Sequence, residues 1–542
     1  MSSTNHSKST EHEFDAIVIG AGFSGLYQVL SLREKLGLDV IGFEAGEAVG
    51  GTWHWNRYPG ARCDSESHSY CYAFSDELIQ EWEWSERYPG AAEIRRYLDF
   101  VADRFDLKRS FQFNTRITAA QYDESANQWE VTTEHGDCFR AQFLITAVGC
   151  LSTANVPAID GLDEFAGNWY HTGQWPHEGV DFSGKRVGQI GTGSTGIQSA
   201  PVIAETAKHL TVFQRTANYS IPARNAPLTK DFKEKIKANF GEIRETMHKS
   251  SNGHPFLISR QLAVETDEAQ RKALYEEAWE KGGLQFRATF WDLLTDQTAN
   301  DTAADFIKQK IREIVKDEQT AAVLADIDHP YATKRPPIDT NYFETYNRPN
   351  VSLVDLRQSP IERITPAGIK TSSEEYPLDI IVFATGFDAM TGPLLRLNIS
   401  GKQGVSLKQA WSAGPKNYLG LQVAGFPNLF TITGPGSPSV LCNMPVAIEQ
   451  HVDWITECIR HLKDTGITRI EATDDACENW VKQVNDVAHA TLMPKATHSW
   501  YQGANVPGKP RVFMPFAGGM ARYRRVCDEV AANHYSGFEL AR

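Results

Sequence analysis

The stretch Ala16-Ile-Val-Ile-Gly20-Ala-Gly22-Phe-Ser-Gly25 decides the fold of this chain. Its apolar, mostly β-branched start predicts a buried parallel strand, and the pattern over residues 26–36 predicts a helix. The G-x-G-x-x-G turn between them lets the backbone approach a pyrophosphate at the helix N-terminus. The next predicted strand, Val40–Phe43, ends at Glu44, whose carboxylate can accept hydrogen bonds from ribose hydroxyls. The segment therefore predicts a dinucleotide-binding unit.

The same layout occurs a second time. Arg186–Ile190 predicts a strand, the turn Gly191-Thr-Gly193-Ser194-Thr195-Gly196 follows, and residues 210–213 predict the next strand. Arg215, followed by Thr216, stands where the first unit has Glu44. A guanidinium binds a 2′-phosphate through charge-assisted hydrogen bonds, whereas a carboxylate would repel it. The first unit thus favours a plain ribose, as in FAD, and the second favours NADPH; the alternative for Arg215 is a solvated charge at a strand end.

Two dinucleotide sites in one chain imply that hydride passes from NADPH to FAD. Residues 231–316 have helical periodicity and predict an insertion, and residues 378–383 and 429–433 predict two further buried strands. We expect an α/β fold with two Rossmann-like domains, a helical insertion and a discontinuous FAD domain. The expected parts are 14–151 and 387–542 for the FAD domain, 152–216 and 340–386 for the NADP domain, and 217–339 for the insertion.

Composition and charge limit the kinds of partner that we expect the protein to bind. The 542 residues carry a formal charge of −14, which disfavours nucleic acid and anionic lipid. No apolar run reaches the roughly 18 residues that a membrane helix needs, and residues 1–13 resemble neither a secretory signal nor a transit peptide. We therefore expect a cytoplasmic protein without membrane partners, either a monomer or a weak homo-oligomer.

The cysteine and histidine patterns predict no metal site. None of the eight cysteines forms a C-x-x-C pair, and the sixteen histidines form no H-E-x-x-H motif. In a reducing compartment the cysteines are expected to be free, packed thiols.

Two further motifs carry a family resemblance. Phe165-Ala-Gly167-Asn-Trp-Tyr-His171-Thr-Gly-Gln-Trp175-Pro176 matches F-x-G-x-x-x-H-x-x-x-W-P, and residues 51–64, from Gly51 to Asp64, match G-x-W-x-x-x-x-Y-P-G-x-x-x-D. With the two glycine turns, they occur in the order typical of type I Baeyer–Villiger monooxygenases, which are class B flavoprotein monooxygenases. Over nearly its whole length the chain resembles this family, which includes cyclohexanone and phenylacetone monooxygenases.

The resemblance implies a reaction. NADPH reduces FAD, O2 adds to the flavin C4a as a peroxide, and this anion attacks a ketone to give an ester or lactone. Such an anion needs a fixed positive charge and exclusion of water. The resemblance implies that Arg335 supplies the charge, that Asp64 orients Arg335, and that Lys334 joins Arg215 at the 2′-phosphate.

It also implies roles for residues around the cofactors. The loop at 499–509, with Trp500, closes over the nicotinamide cofactor. His171 is expected to couple cofactor binding to domain geometry rather than to transfer a proton. Three sets complete the prediction: cofactor contacts at Gly51, Thr52, Trp53, Trp55, Asp64 and Tyr70, pocket residues at Ser439, Val440 and Leu441, and linker residues at Phe165, Gly167, His171, Trp175 and Pro176.

Three other functions compete with this hypothesis. A flavin-containing N- or S-oxygenase uses the same cofactors, but Asp64 and the Trp175-Pro176 ending argue against it. A flavin disulfide reductase needs a reactive cysteine pair near the first unit, and Cys63 and Cys71 do not have its spacing. A non-enzymatic NADPH-sensing flavoprotein would have no use for Arg335.

Overall fold

The computed structural model describes residues 12–542. The strands are, in chain order, β1 (His12–Ile19), β2 (Val40–Phe43), β3 (Phe111–Gln112), β4 (Ile117–Asp123), β5 (Gln128–Thr133), β6 (Cys138–Thr146), β7 (Asn168–His171), β8 (Arg186–Ile190), β9 (His209–Gln214), β10 (Ile221–Pro222), β11 (Ile338–Asp339), β12 (Val351–Asp355), β13 (Ile361–Thr365), β14 (Gly368–Thr371), β15 (Glu375–Pro377), β16 (Ile380–Phe383), β17 (Ile399–Ser400), β18 (Leu429–Thr431), β19 (Arg469–Ala472) and β20 (Phe538–Ala541).

The α-helices are α1 (Phe23–Leu30), α2 (Thr52–Trp55), α3 (Asp76–Glu81), α4 (Ala91–Arg104), α5 (Ser194–Thr206), α6 (Lys230–Ala238), α7 (Phe240–Lys249), α8 (Glu268–Lys281), α9 (Gln297–Ile314), α10 (Glu318–Ala325), α11 (Tyr342–Thr345), α12 (Gly392–Leu395), α13 (Leu407–Ala410), α14 (Met444–Thr465), α15 (Asp474–His489) and α16 (Met520–Ala532). Short 3₁₀ turns connect several of them.

The first sheet takes strands from both ends of the chain. Its order is β17-β4-β5-β6-β1-β2-β3, and β18 also pairs with β6. Strands β6, β1, β2 and β3 run parallel, which brings the ends of β1 and β2 to one edge. Because β18 adds to β6 in parallel register, the segment after it reaches the same edge.

The second sheet is entirely parallel, in the order β12-β9-β8-β16-β7. Strand β8 lies between β9 and β16, so the second glycine turn leaves from the middle of the sheet. The first sheet is mixed, since β4 and β6 each pair with β5 in antiparallel orientation, and the second is parallel. In each sheet a parallel strand, β1 or β8, leads into a glycine turn and a helix, which confirms the predicted α/β class with two Rossmann-type units.

Predicted boundaries differ from observed ones at several places, three of which follow. The predicted helix over 26–36 begins at Phe23, becomes π-helical over Ser31–Lys35 and ends before Gly37, which has φ +63°. The strand predicted at 378–383 begins only at Ile380. The strand predicted at 429–433 stops at Thr431, and Thr433 has φ +55°, which is incompatible with an extended strand.

The chain enters and leaves the helical insertion at one pair of short strands. Strands β10 and β11 pair in parallel at this point, and α6 to α10 lie between them in sequence. Inside the insertion, the buried rings of Tyr275, Phe286 and Phe306 pack with centroids 5.4 to 5.8 Å apart. This junction matters for the site because Arg335 lies three residues before β11.

Seven of the eight cysteines are buried thiols, as the sequence predicted, and Cys138 is half-buried. Within residues 12–542, no helix is both long and apolar enough to span a membrane.

Candidate active site

The first glycine turn joins β1 to α1 and has no room for side chains. Gly20 has φ +110°, and a Cβ there would lie 2.5 Å from the carbonyl oxygen of Ala147. A Cβ on Gly25 would lie 1.7 Å from the Gly20 oxygen, and one on Gly22 would lie 3.3 Å from the Cα of Gly51. Because the turn is bare backbone at the start of a helix, it fits a pyrophosphate group.

Glu44 lies buried at the end of β2. Its Oε2 accepts a hydrogen bond from the backbone N–H of Ala21, and its Oε1 accepts one from Gly46, both at 2.8 Å. Each carboxylate oxygen keeps another lone pair for a ribose hydroxyl. The carboxylate therefore ties the turn to the strand end and fits the predicted plain ribose.

A further group of residues predicted to contact a cofactor begins beside this turn. Gly51 precedes α2, and the side chains of Thr52, Trp53 and Trp55 are exposed or half-buried. Trp53 Nε1 donates to the Tyr70 hydroxyl at 3.2 Å, with the two rings edge to face. Burial raises the pKa of Tyr70, so its hydroxyl stays neutral. Partly open aromatic side chains beside a bare glycine turn fit a flavin nucleotide.

The second glycine turn repeats the backbone of the first. Gly191 has φ +111°, and a Cβ there would lie 2.4 Å from the carbonyl oxygen of Ala384. A Cβ on Gly196 would lie 2.2 Å from the Gly191 oxygen. Within the described part of the chain, however, no atom lies within 4 Å of a Cβ built on Gly193. This turn also fits a pyrophosphate group, and it is more open than the first.

Polar side chains surround the second turn. Ser194 is exposed and Thr195 is half-buried at the start of α5. Thr192 Oγ1 donates to the carbonyl oxygen of Thr216 at 2.8 Å, which ties the turn to the segment after β9. Arg215, next to Thr216, is exposed.

Arg215 and Lys334 place two positive charges near this segment. No carboxylate among residues 12–542 forms an ion pair with Arg215. Burial lowers the pKa of Lys334 and the charge of Arg215 lowers it further, while Asp328 opposes both effects. A bound 2′-phosphate would relieve this repulsion, so the two cations fit NADPH better than NADH.

Arg335 and Asp64 form a two-pronged ion pair. Arg335 Nε lies 2.6 Å from Asp64 Oδ2, and Nη2 lies 2.8 Å from Oδ1, while Nη1 donates to the carbonyl oxygen of Val440 at 2.8 Å. Burial alone would raise the pKa of Asp64, but the charge and hydrogen bonds of Arg335 bring it below its ordinary value. Burial likewise opposes the charge on Arg335, whose pKa Asp64 raises overall. The pair therefore stays ionised at any working pH.

The loop that leads to Asp64 is fastened to α5. The Tyr58 hydroxyl donates to Gln198 Oε1 at 2.7 Å, and Gln198 Nε2 donates to the carbonyl oxygen of Arg62 at 3.1 Å. A Cβ on Gly60 would lie 2.2 Å from the Gln198 carbonyl oxygen, so the backbones touch here. One helix thus begins at the second glycine turn and, one turn later, holds the loop of the catalytic candidate Asp64.

Arg335 lines a cleft with an empty volume of about 820 Å³, part of it open to solvent. Val440 and Leu441, two of the three residues predicted for the substrate pocket, line it too. Ser439 is fully buried instead, and its hydroxyl faces the Met390 sulfur at 3.9 Å. Its φ of +42°, in a tight 3₁₀ turn, explains why its side chain does not follow those of its neighbours.

The loop predicted to close over the nicotinamide cofactor contributes Tyr501 to the cleft. Trp500 is half-buried, and its ring lies edge to face on Tyr501, with centroids 4.6 Å apart. Burial raises the pKa of Tyr501 to about 12. At the far end of the loop, Lys509 Nζ lies 2.6 Å from Asp388 Oδ1. The Lys509–Asp388 ion pair thus holds the end of the loop, and Tyr501 rather than Trp500 lines the cleft.

His171 ends β7 and is almost fully buried. Its Nδ1 accepts a hydrogen bond from the N–H of Gly173 at 3.0 Å. Burial lowers its pKa, which favours the neutral ring. His171 does not line the cleft, so its position suits the predicted linker role better than proton transfer.

The rest of the linker motif packs or turns the chain. Phe165 and Trp175 are buried in two different hydrophobic clusters. A Cβ on Gly167 would lie 2.3 Å from the Asp379 carbonyl oxygen. The Pro176 carbonyl oxygen accepts a backbone hydrogen bond at 3.2 Å that closes a turn.

Among the cleft residues that the sequence did not single out, three have ionisable side chains: His254, Arg287 and Tyr501. Burial lowers the pKa of His254 to about 3, so this ring is neutral. An arginine between Phe286 and Phe290, in an apolar stretch, was a usable signal for Arg287. Tyr501 adjoins Trp500 and could have been named with it.

One group in the described part of the chain has the donor atoms of a metal site. Ligand atoms of Glu47, His54 and His177 lie within 4.8 Å of one another. The guanidinium of Arg57 also contacts the His177 ring. Its positive charge opposes a cation, so the group gives no reason to add a metal to the predicted cofactors.

Comparisons with known proteins agree with this geometry. Residues 15–226 match the family model described as flavin-binding monooxygenase-like. Cyclohexanone 1,2-monooxygenase of Acinetobacter sp. is 45% identical, over 98% of this chain and 97% of its own length. Phenazine N-monooxygenase PhzNO1 of Lysobacter antibioticus is 42% identical, over 97% of each chain.

Among solved structures, an oxidized steroid monooxygenase bound to NADP superposes with a TM-score of 0.93. It is 51% identical in sequence and covers 98% of this chain and 99% of its own. Full-length likeness at this identity, together with the two glycine turns and the Arg335–Asp64 pair, settles the family. The chain belongs to the flavin-binding monooxygenases of the Baeyer–Villiger type.

Proposed function

We propose that this protein uses FAD and NADPH to convert a ketone to an ester or lactone. One atom of O2 enters between the carbonyl carbon and a neighbouring carbon, the other leaves as water, and NADPH becomes NADP⁺. The observation that carries this proposal is the two-pronged Arg335–Asp64 pair at the wall of an open cleft.

The two glycine turns support a division of labour between the cofactors. The first, with Glu44 beside it, suits FAD, and the second, with Arg215 and Lys334, suits NADPH. Bound FAD would supply the chemistry that activates O2, with electrons from NADPH. The chain's own part is to bind both nucleotides, to orient the ketone and to keep water away.

Arg335 is suited to stabilise negative charge in the cleft. A guanidinium has five N–H donors, and three of them are taken by Asp64 and by the carbonyl oxygen of Val440. The donors left over are available to an oxygen that gains negative charge during the reaction. Asp64 positions Arg335, because its carboxylate fixes the plane of the guanidinium without removing its charge.

Replacing Arg335 by alanine tests this function. We expect NADPH still to reduce the bound flavin under anaerobic conditions, while ester formation in air falls by about 10²- to 10³-fold, the usual effect of losing one charge-stabilising donor. Flavin absorbance and product chromatography measure the two steps separately. Arg335→Lys is the matched variant, since it keeps the charge but cannot pair with both carboxylate oxygens. Undiminished ester yield in Arg335→Ala would remove this residue from the reaction.

A second candidate, oxygenation at nitrogen, is favoured by the likeness to a phenazine N-monooxygenase. The same holoenzyme should be given a ketone and an aromatic nitrogen heterocycle in parallel. An N-oxide formed without any ester or lactone would replace the proposed function by this one.

A further inference from the structure

The cleft contains a second guanidinium, and this one is unpaired. Arg287 lines the cleft together with Arg335 and lies in the 3₁₀ segment Gly283–Thr289. Arg335 has Asp64 as its counter-ion. Across residues 12–542, no oxygen accepts a hydrogen bond from the Arg287 guanidinium, and no carboxylate forms an ion pair with it.

The remaining walls of the cleft do not offset this charge. None of the described residues that line it is an aspartate or a glutamate. His254 is neutral at working pH, and Ser251, Asn252 and Tyr501 are uncharged. Because the charge of Asp64 balances that of Arg335, the Arg287 guanidinium leaves the cleft with one net positive charge, although the whole chain carries −14.

Arg287 is held on a rigid wall. The preceding residue, Phe286, is fully buried and stacks on Tyr275 with ring centroids 5.4 Å apart. Burial lowers the pKa of Arg287, and the charge of Arg335 lowers it further, yet a guanidinium remains protonated. A partly buried, unpaired cation is costly for the fold, and that cost is offset when an anion binds.

We propose that Arg287 binds a carboxylate on the substrate, so that the preferred ketones are keto acids. This inference rests on the proposed function and names its substrate class. The planar fork of one arginine matches the two oxygens of a carboxylate. Arg335, whose charge Asp64 already balances, remains available to the reacting carbonyl at the other end of the same molecule.

The NADPH phosphates are the other anions that Arg287 could meet. The structure offers them separate partners, because the second glycine turn fits the pyrophosphate, and Arg215 and Lys334 fit the 2′-phosphate. A cofactor role for Arg287 therefore predicts a different result in the experiment below.

The experiment compares methyl-ketone carboxylates of increasing chain length with their methyl esters, which keep the shape but lose the charge. The holoenzyme, Arg287→Met and Arg287→Lys are each assayed for kcat/KM with both series. At the preferred chain length the unaltered enzyme should favour the acid, and Arg287→Met should lose about 10- to 150-fold with the acid while the ester changes little. Arg287→Lys should keep part of the preference.

One control and two contradicting outcomes make the result decisive. Flavin content and the rate of flavin reduction by NADPH check that Arg287→Met is folded. An acid-to-ester ratio equal in the unaltered enzyme and Arg287→Met overturns the proposal. A higher KM for NADPH in Arg287→Met, with the acid-to-ester ratio unchanged, overturns it in favour of a cofactor contact.

Binding separates this proposal from the proposed function. Calorimetry of the acid and the ester against the oxidised holoenzyme with NADP⁺ needs no turnover. If no ketone is oxidised but the acid still binds more tightly than the ester, and only when Arg287 is present, the anion site stands and the proposed reaction fails. Equal binding of acid and ester removes the anion site.

Discussion

The two glycine turns share a backbone but differ in their surroundings. Gly20 and Gly191 have almost the same φ, +110° and +111°, and in both turns the third glycine packs on the carbonyl oxygen of the first. Beside the first turn lies the buried carboxylate of Glu44, already bonded to two backbone N–H groups. Beside the second lies Arg215, exposed and without an ion-pair partner in the described chain.

The difference shows how one backbone motif serves two nucleotides. The glycines provide a place for a pyrophosphate, which both nucleotides share. The residue at the end of the following strand meets the ribose, where the nucleotides differ by one phosphate. Four variants would break or sharpen this contrast.

The largest effect is expected for Gly25→Ala. Its Cβ would lie 1.7 Å from the Gly20 carbonyl oxygen, so the first turn must open, at a cost of about 3 kcal/mol or more. The purified protein should contain little flavin and unfold at a lower temperature. Gly196→Ala is the counterpart in the second turn, with 2.2 Å to the Gly191 oxygen. It should keep its flavin and lose NADPH binding; loss of flavin from both variants would mean that the turns do not act separately.

Arg215→Ala should lower kcat/KM for NADPH by about 10- to 150-fold, because a charge-assisted hydrogen bond contributes roughly 1.5–3 kcal/mol. The value for NADH should barely change, since NADH lacks the 2′-phosphate. Steady-state kinetics with both nucleotides measure the ratio. Lys185→Ala is the control, an exposed charge in the same unit just before β8, at the opposite end of the sheet. Equal use of both nucleotides by the unaltered enzyme would contradict the assignment.

Lys334→Met should have a smaller effect on the same ratio. Lysine binds phosphate as a point charge, and this one is partly buried near another cation, so we expect about 1 kcal/mol, or roughly fivefold. The double variant with Arg215→Ala tests whether both side chains meet one phosphate. If they do, the two losses will not add; strictly additive losses would indicate separate contacts.

The smallest effect is expected for Gly193→Ala. The residue has φ −81° and open space around its Cβ, so alanine should raise the free energy of unfolding of the apoprotein by about 0.4–1 kcal/mol. NADPH should nevertheless bind less tightly, because the methyl group occupies the path of the pyrophosphate. In Gly22→Ala the Cβ would lie 3.3 Å from the Gly51 Cα, which should remove the gain. Denaturant unfolding and NADPH titration measure the two effects.

Both glycine turns and their strands could be predicted from the sequence because their determinants are local. Glycines, β-branched runs and strand-end charges act within about 30 residues. Strand ends were less predictable: Thr433 leaves the extended region, and no local pattern indicated it. The cleft was predicted only in part, because Arg287 and Tyr501 reach it from segments far apart in sequence. Ser439, predicted to line the pocket with its neighbours, is buried beside Met390, because a turn with positive φ sets the direction of its side chain.

The contact of Gln198 with Tyr58 and Arg62 has a thermodynamic consequence. Helix α5 begins at the expected site of the second nucleotide. One turn later, its Gln198 is hydrogen-bonded to the loop that ends at Asp64. A ligand that orders the start of α5 should therefore also order the loop. Ordering of the loop should favour binding of that ligand to the same extent, since linkage between two sites is mutual. Occupancy of the second nucleotide site and the conformation of the Asp64 loop are thus governed by one coupled equilibrium.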